Sequence, residues 1–280
     1  MAPASELRLL TFPAAAPTPV QPNAGHPPAS ARAQTVAKLR TRIRQMERGE
    51  RSCQAVLPFG VAALDQRLPE GGLRLGALHE VIGGGNDGAY AAAAALFAAG
   101  ILARLEGPVL WCLTYPDLFA PALAAAGLHP DRVIYAEAGD ETAILQVMEE
   151  GLRHGGLAGV VGETAKLPMT ASRRLQLAAE TSGGLGLVLR RWRHAETAAR
   201  FDQPNAAVSR WRISTLPSAP LPVAGVGRAR WQVELVRCRG AKPGSWELEA
   251  CDVQGRLAVP AELADRPAAA ADGQHRAAAG

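Results

Sequence analysis

From Leu57 onward, short apolar runs alternate with longer stretches of helical period, which predicts strands and helices in turn. Residues 78–82 are an apolar run ending in glycine, a strand. Residues 87–105 are alanine-rich and long enough for a helix. Residues 108–113, between Gly107 and Pro116, form a second strand. Residues 116–127 open on Pro and close on Gly, the asymmetry of a helix. Residues 132–136 read as a third strand, and residues 140–154 place Ile144, Val147, Met148 and Leu152 on one helix face. Residues 157–161, 170–182 and 184–190 continue as strand, helix and strand. Repeated βα units imply right-handed crossovers and a mainly parallel sheet with helices on both faces. After Arg190 the period shortens to two. Residues 208–215, 229–239 and 245–252 read as antiparallel strands extending the sheet at one edge, the last two joined by the turn at 239–244.

The flanks differ from this core. Residues 1–31 are rich in Pro and Ala without periodicity and are expected to be a disordered tail. Residues 32–51 form a basic amphipathic helix, with Val36, Leu39, Ile43 and Met46 on one face and Arg40, Arg44 and Arg48 in a stripe. It is expected to dock on the domain or on a partner protein. The α/β domain spans 52–260, and the Ala/Asp/Gly-rich residues 261–280 are expected to be a second disordered tail.

Composition removes several classes. The chain has 280 residues, 48% hydrophobic and 20% charged, enough for a sizeable core. Its most apolar stretch, 89–105, carries Tyr90, Gly100 and Arg104 and falls short of the roughly 18–20 uncharged residues of a membrane span. Glu6 and Arg8 near the start do not make a signal peptide. Cys53, Cys112, Cys238 and Cys251 contain no C-x-x-C, and the six histidines no H-E-x-x-H, so neither a disulfide framework nor a metal site is expected. A reduced, cytoplasmic protein follows. The net charge of +4 is segregated: residues 32–51 carry +5, 52–189 carry −6 and 190–242 carry +8. Two basic blocks around an acidic middle suggest an anionic partner, or a solvated arginine-rich face.

The densest chemical signal is Gly83-Gly84-Gly85-Asn86-Asp87-Gly88-Ala89-Tyr90, after a strand and before a helix. Gly83, Gly85 and Gly88 satisfy the dinucleotide pattern G-x-G-x-x-G, and Gly83 and Gly88 satisfy the frame of a phosphate-binding loop, G-x-x-x-x-G-K-[ST]. The second pattern needs a Lys for the β/γ-phosphates and a small hydroxyl for Mg²⁺. Ala89 and Tyr90 hold those positions and supply neither, while Asp87 adds a carboxylate where triphosphate would lie. The carboxylate that would anchor the metal belongs at the end of the fourth strand, where Gly162 stands; Glu163 is one residue later and alternates to the other face. Loss of nucleotide hydrolysis is therefore expected, with no cofactor and no catalytic residue, and ATP with Mg²⁺ is the alternative. The dinucleotide pattern lacks its acid, because Asp117 lies beyond Pro116 inside the predicted helix. His79, beside Glu80, reads as a satisfied strand residue, and no G-x-S-x-G or nucleophile–base set is present.

The run 57–65, followed by Gly71-Gly72-Leu73-Arg74-Leu75-Gly76-Ala77-Leu78-His79-Glu80-Val81-Ile82-Gly83, resembles the entry into a RecA-type core. There G-x-x-x-L-D, G-G-L-x-x-G and E-I-x-G lead into the phosphate loop. Within that superfamily, the missing lysine, the segment 207–212, the run 228–240 and the ending 243–249 resemble the ImuA family over about residues 35–260. The resemblance implies a RecA-like fold and a damage-inducible SOS mutagenesis cassette. Its partners would be ImuB, an inactive Y-family polymerase homologue, and an error-prone replicative-type polymerase, with RecA itself a further candidate.

Residues 190–242 interleave Trp192, Trp211 and Trp231 with eleven Lys/Arg. Arg190, Arg191, Trp192 and Arg193 end the fifth strand; Arg210, Arg212, Arg228 and Arg230 flank the other two tryptophans. Guanidiniums on phosphates with indoles on bases would hold single-stranded DNA. Alternation instead puts Trp211 and Trp231 in the core, and the arginines then serve DNA or a protein partner. The function expected is a non-catalytic RecA-like adaptor in error-prone translesion synthesis. The alternative is an active RecA-type DNA-dependent ATPase with an unconventional nucleotide site.

Overall fold

The computed structural model describes residues 55–85, 87–191, 203–218 and 225–260. Both predicted tails, the basic helix with Val36, Leu39, Arg40, Ile43, Arg44 and Met46, and Asn86, Trp192 and Arg193 lie outside the described residues.

The chain enters through a small unit. Strand β1 (Val56–Leu57) pairs antiparallel with β2 (Leu73–Arg74), and α1 (Ala62–Asp65) and a 3-10 turn (Pro69–Gly71) lie between them. The Asp65 carboxylate accepts hydrogen bonds from the backbone N–H of Phe59 at 2.7 Å and of Gly60 at 2.9 Å, which explains the G-x-x-x-L-D spacing. Leu64 and Leu73 are buried beneath it.

Then come β3 (Ala77–Gly83), α2 (Asp87–Ala103), β4 (Val109–Leu113), α3 (Ala120–Ala125), β5 (Val133–Glu137), α4 (Glu141–His154), β6 (Gly159–Thr164), α5 (Met169–Ser182), β7 (Leu185–Arg190), β8 (Ser209–Leu216), β9 (Arg230–Cys238) and β10 (Gly244–Glu249). One eight-stranded sheet runs β10-β9-β8-β3-β7-β6-β4-β5. Its six strands from β5 to β8 are parallel, and β9 and β10 are antiparallel. The expected mainly parallel sheet with an antiparallel C-terminal edge is thus observed. One strand departs from expectation: β8, predicted antiparallel, pairs parallel with β3, and the reversal starts only at β9. Its period of two reflects an arginine-bearing face, and that period is the same in either direction.

Strand alternation sends side chains into two cores. Trp111, Trp211 and Trp231 join Phe59 and Phe97 on the α2 face, whereas Leu78, Cys112 and Val188 meet Ile144, Met148 and Leu152 on the α4–α5 face. The aromatic side chains of Phe59, Phe97 and Trp211 lie with ring centroids 5.3–5.9 Å apart, close enough for edge and offset contacts. Helix α2 is apolar all round because it is covered on both sides, by the sheet and by the segment after β10. Arg132 donates to the carbonyls of Ala103 at 3.1 Å and Leu102 at 3.4 Å, and to that of Leu105, so it caps the helix that carries no basic residue in its own last turn. In α4 the Asp140 side chain caps the Ala143 N–H at 2.8 Å, and Gly155 ends the helix in the left-handed region.

The helix predicted over 116–127 is shorter than expected. Only Ala120–Ala125 is helical, with Pro in its first turn, and Phe119 is extended (φ −93°, ψ 98°). Pro121 starts the helix, and Asp117 sits in the preceding loop rather than inside it. Among the described residues, no helix is long and apolar enough to cross a membrane.

Candidate functional site

The glycine loop stands where the sequence placed it, between β3 and α2 in the middle of the sheet. Its glycines are required by close approach. A Cβ on Gly84 would lie 1.9 Å from Ser214 Oγ of β8, while the Gly84 N–H donates to the Ile213 carbonyl at 2.8 Å. On Gly83 a Cβ would meet Tyr90 Cβ at 2.8 Å, and on Gly85 it would meet the Tyr90 ring at 2.6 Å. The phenol ring of Tyr90 therefore packs on the loop itself, and any side chain on Gly83 or Gly85 would displace it.

Across β7 from the loop lies the end of β6. A Cβ on Gly162 would meet Met148 and Ile144, so that position faces α4. Glu163 faces the α2 side instead: it is buried, lines a cavity of about 510 Å³ floored by Ala91, Ala94 and Ala95 of α2, and accepts from Trp111 Nε1 at 2.8 Å. This revises the sequence expectation. Glu163 does alternate away from Gly162, but the face it reaches is the one that carries the loop's own helix. That carboxylate is engaged, because Arg191 Nη1 donates to Glu163 Oε2 at 2.6 Å. The same guanidinium holds Asp117 in a fork, Nη1 to Oδ1 at 2.8 Å and Nη2 to Oδ2 at 2.9 Å. Phe119, two residues on, is 68% exposed at the rim of the cavity.

The basic residues predicted to bind DNA or a partner do not form one surface. Arg190 and Arg210 are buried, and both close on Glu80 of β3, at 2.5 Å to Oε1 and 2.6 Å to Oε2. Asn205 adds a hydrogen bond to Glu80 Oε2 at 2.9 Å. Arg190 and Arg210 are therefore corrected from surface contacts to members of an interior ion cluster: a carboxylate in a central strand must be paired, and the neighbouring strands supply the guanidiniums. Arg191 is spoken for by Asp117 and Glu163. Arg228 pairs with Glu249 at 3.1 Å and Arg230 with Glu247 at 2.8 Å, while Arg212 lies 3.9 Å from Glu234 and stays partly exposed. Trp211 and Trp231 are core residues, as alternation predicts, at 0% and 2% exposure.

His79 is also structural. Its Nε2–H donates to the Arg74 carbonyl at 2.8 Å, which leaves Nδ1 to accept from Ser209 Oγ at 2.7 Å, while Trp211 Nε1 donates to the same hydroxyl at 2.8 Å. Burial pushes this imidazole down to about 4, so it is neutral at physiological pH. Burial likewise raises the thiols of Cys112 and Cys251 to about 12, which keeps them unreactive. Among the described residues no group of His, Cys, Asp and Glu is arranged to hold a metal ion.

The sequence reading missed Glu80 as a hub and did not connect Asp117, Glu163 and Arg191. A signal for the first was present: Glu80 interrupts the apolar run of a strand in the middle of a parallel sheet. The second depends on three elements 28–74 residues apart and has no local signature.

The chain is 40% identical over 242 residues to Protein ImuA of Caulobacter vibrioides, from strain NA1000 / CB15N and equally from strain ATCC 19089 / CIP 103742 / CB 15, a match covering 82% of this chain and 99% of that protein. The chain belongs to the ImuA family. No family model matches it. Among solved structures, the RadB recombinase superposes with a TM-score of 0.52 at 18% identity, covering 73% of this chain and 100% of the other. The fold is RecA-like, as the ImuA resemblance implied.

Proposed function

We propose that this member of the ImuA family is a non-catalytic, RecA-like cytoplasmic accessory factor of error-prone translesion synthesis, an adaptor for an ImuB-type polymerase homologue and an error-prone polymerase. What supports the loss of chemistry is the pairing of Tyr90 with the glycine loop. An aromatic ring rests on Gly85 where a phosphate loop keeps its concavity open, and the neighbouring position 89 holds alanine. The residues present do not fit a magnesium triphosphate. No lysine is available at the loop's end, the small hydroxyl is replaced by a phenol, and the buried carboxylate facing α2 already holds a guanidinium.

A titration with mant-ATP and Mg²⁺, with the protein alone and with its ImuB-type partner, is expected to show no saturable binding and no turnover. Turnover above background that disappears on Gly88→Val would overturn the proposal and favour the unconventional ATPase. Direct DNA binding through Arg190 and Arg191 is opposed by their engagement, since Arg190 is buried against Glu80 and Arg191 is held by two carboxylates; Arg193 lies outside the described residues.

A further inference from the structure

On the face of the sheet opposite α2, a second cleft of about 450 Å³ lies between α5 and the residues just before β8. Arg173 and Arg239 both line it, from a helix and from the turn after β9, elements 66 residues apart in the chain. Both are exposed, and neither guanidinium has a hydrogen bond or ion pair among the described residues. The acid in the lining, Glu180, is occupied: it accepts from Gln176 Nε2 at 2.9 Å and lies 3.4 Å from Arg74. Behind the wall, Arg237 bonds only to neutral acceptors, Asn205 Oδ1 at 2.9 Å and the Ala207 carbonyl at 3.0 Å. Its pKa is lowered, first by burial and then by Arg210 and Arg239, against the pull of Glu80. The unpaired guanidiniums of Arg173 and Arg239 thus put positive charge on one side of this cleft. On its helix side, Met169 and Leu177 add apolar surface, and Leu177 is 64% exposed.

We propose that this cleft docks an acidic segment of a partner protein, its carboxylates between Arg173 and Arg239 and an apolar side chain on Leu177 and Met169. The proposal rests on the adaptor function above and names the chemistry of one of its contacts. Guanidiniums fork onto carboxylates, and a charged rim around an apolar contact steers a partner and fixes its register. A nucleic-acid strand fits less well, because no aromatic side chain among the described residues lines the cleft to stack a base.

The test uses the full chain and a short fluorescein-labelled peptide of alternating Glu and Leu, read by anisotropy. The comparison probes are the same peptide with Gln for Glu, one with Lys for Glu, and labelled oligo-dT. The Glu/Leu peptide is expected to bind, to weaken with salt, and to lose on the order of tenfold or more in affinity with Arg173→Glu/Arg239→Glu. That double variant should instead gain affinity for the Lys/Leu peptide, and Arg256→Glu, exposed on the opposite face beside α2, should change nothing. The proposal is overturned if the wild-type protein ignores the Glu/Leu peptide or binds the Gln version equally well. It is also overturned if charge reversal leaves the peptide's affinity intact, or if oligo-dT is the probe that the reversal releases. Since the probes are synthetic and contain no nucleotide cofactor, a negative result here leaves the adaptor function standing, and ATP turnover would sink that function without touching this result.

Discussion

At the residue scale, the buried polar groups of β3 are paired by their neighbours, Glu80 by Arg190, Arg210 and Asn205, and His79 by the Arg74 carbonyl and Ser209. His79 shows what such burial does to pH dependence. Its pKa is lowered to about 4 from 6.5, mainly by desolvation. Above pH 6.5 both folded and unfolded imidazoles are neutral and the full stability is present. As pH falls from 6.5 toward 4, the unfolded chain binds a proton that the folded chain refuses, and stability is lost by roughly 3 kcal/mol. Urea titrations across that range should show the loss, and His79→Gln should flatten it. An unchanged pH slope in the variant would mean that His79 is not the group responsible. Glu80 makes the complementary point. Its place in an apolar run announces a buried charge, but which arginines answer it is invisible locally, because Arg190 and Arg210 lie 110 and 130 residues away.

At the scale of elements, strand and helix positions were largely legible, because apolar period and Gly/Pro punctuation are local properties. The cap at Asp140 and the left-handed Gly155 mark α4 as the sequence suggests. The overlong α3 is a case of two competing signals: Pro116 and Pro121 both suit a helix start, and the fork between Asp117 and Arg191 keeps the first of them in a loop. The glycine loop is a joint between elements, and Gly84 can be tested as one. Gly84→Ala should cost about 1–3 kcal/mol by overpacking against Ser214, and adding Ser214→Gly should recover part of it. Equilibrium unfolding of the two single variants and the double variant measures the coupling, and strict additivity would show that the contact does not carry the cost.

At the scale of the whole molecule, the aromatic core is closed from outside by the last described segment. A Cβ on Gly100 of α2 would lie 2.2 Å from Cys251 Sγ, Leu257 is buried, and Arg228 clamps the carbonyls of Ala250 and Arg256. Deleting the chain from residue 250 onward should therefore lower the unfolding free energy by roughly several kcal/mol, and with it the urea midpoint, relative to deletion from residue 261 onward. Equal midpoints for the two truncations would show that α2 does not need this cover. The same global arrangement separates two surfaces: the alanine-floored cavity beside the glycine loop, and the Arg173–Arg239 cleft on the opposite face.

The amino-acid order alone determined the alternating βα architecture, the glycine loop followed by Ala89 and Tyr90, the core placement of Trp211 and Trp231, and the ImuA resemblance that homology then bore out. These are properties of neighbours in the chain, set by period, spacing and residue type. Only the tertiary structure decided which arginines are buried, which face Glu163 serves, that β8 runs parallel to β3, and where unpaired charge gathers. Those outcomes depend on electrostatic and steric encounters between segments tens to more than a hundred residues apart, and a charge on one strand carries no local mark of the partner that folding will bring to it.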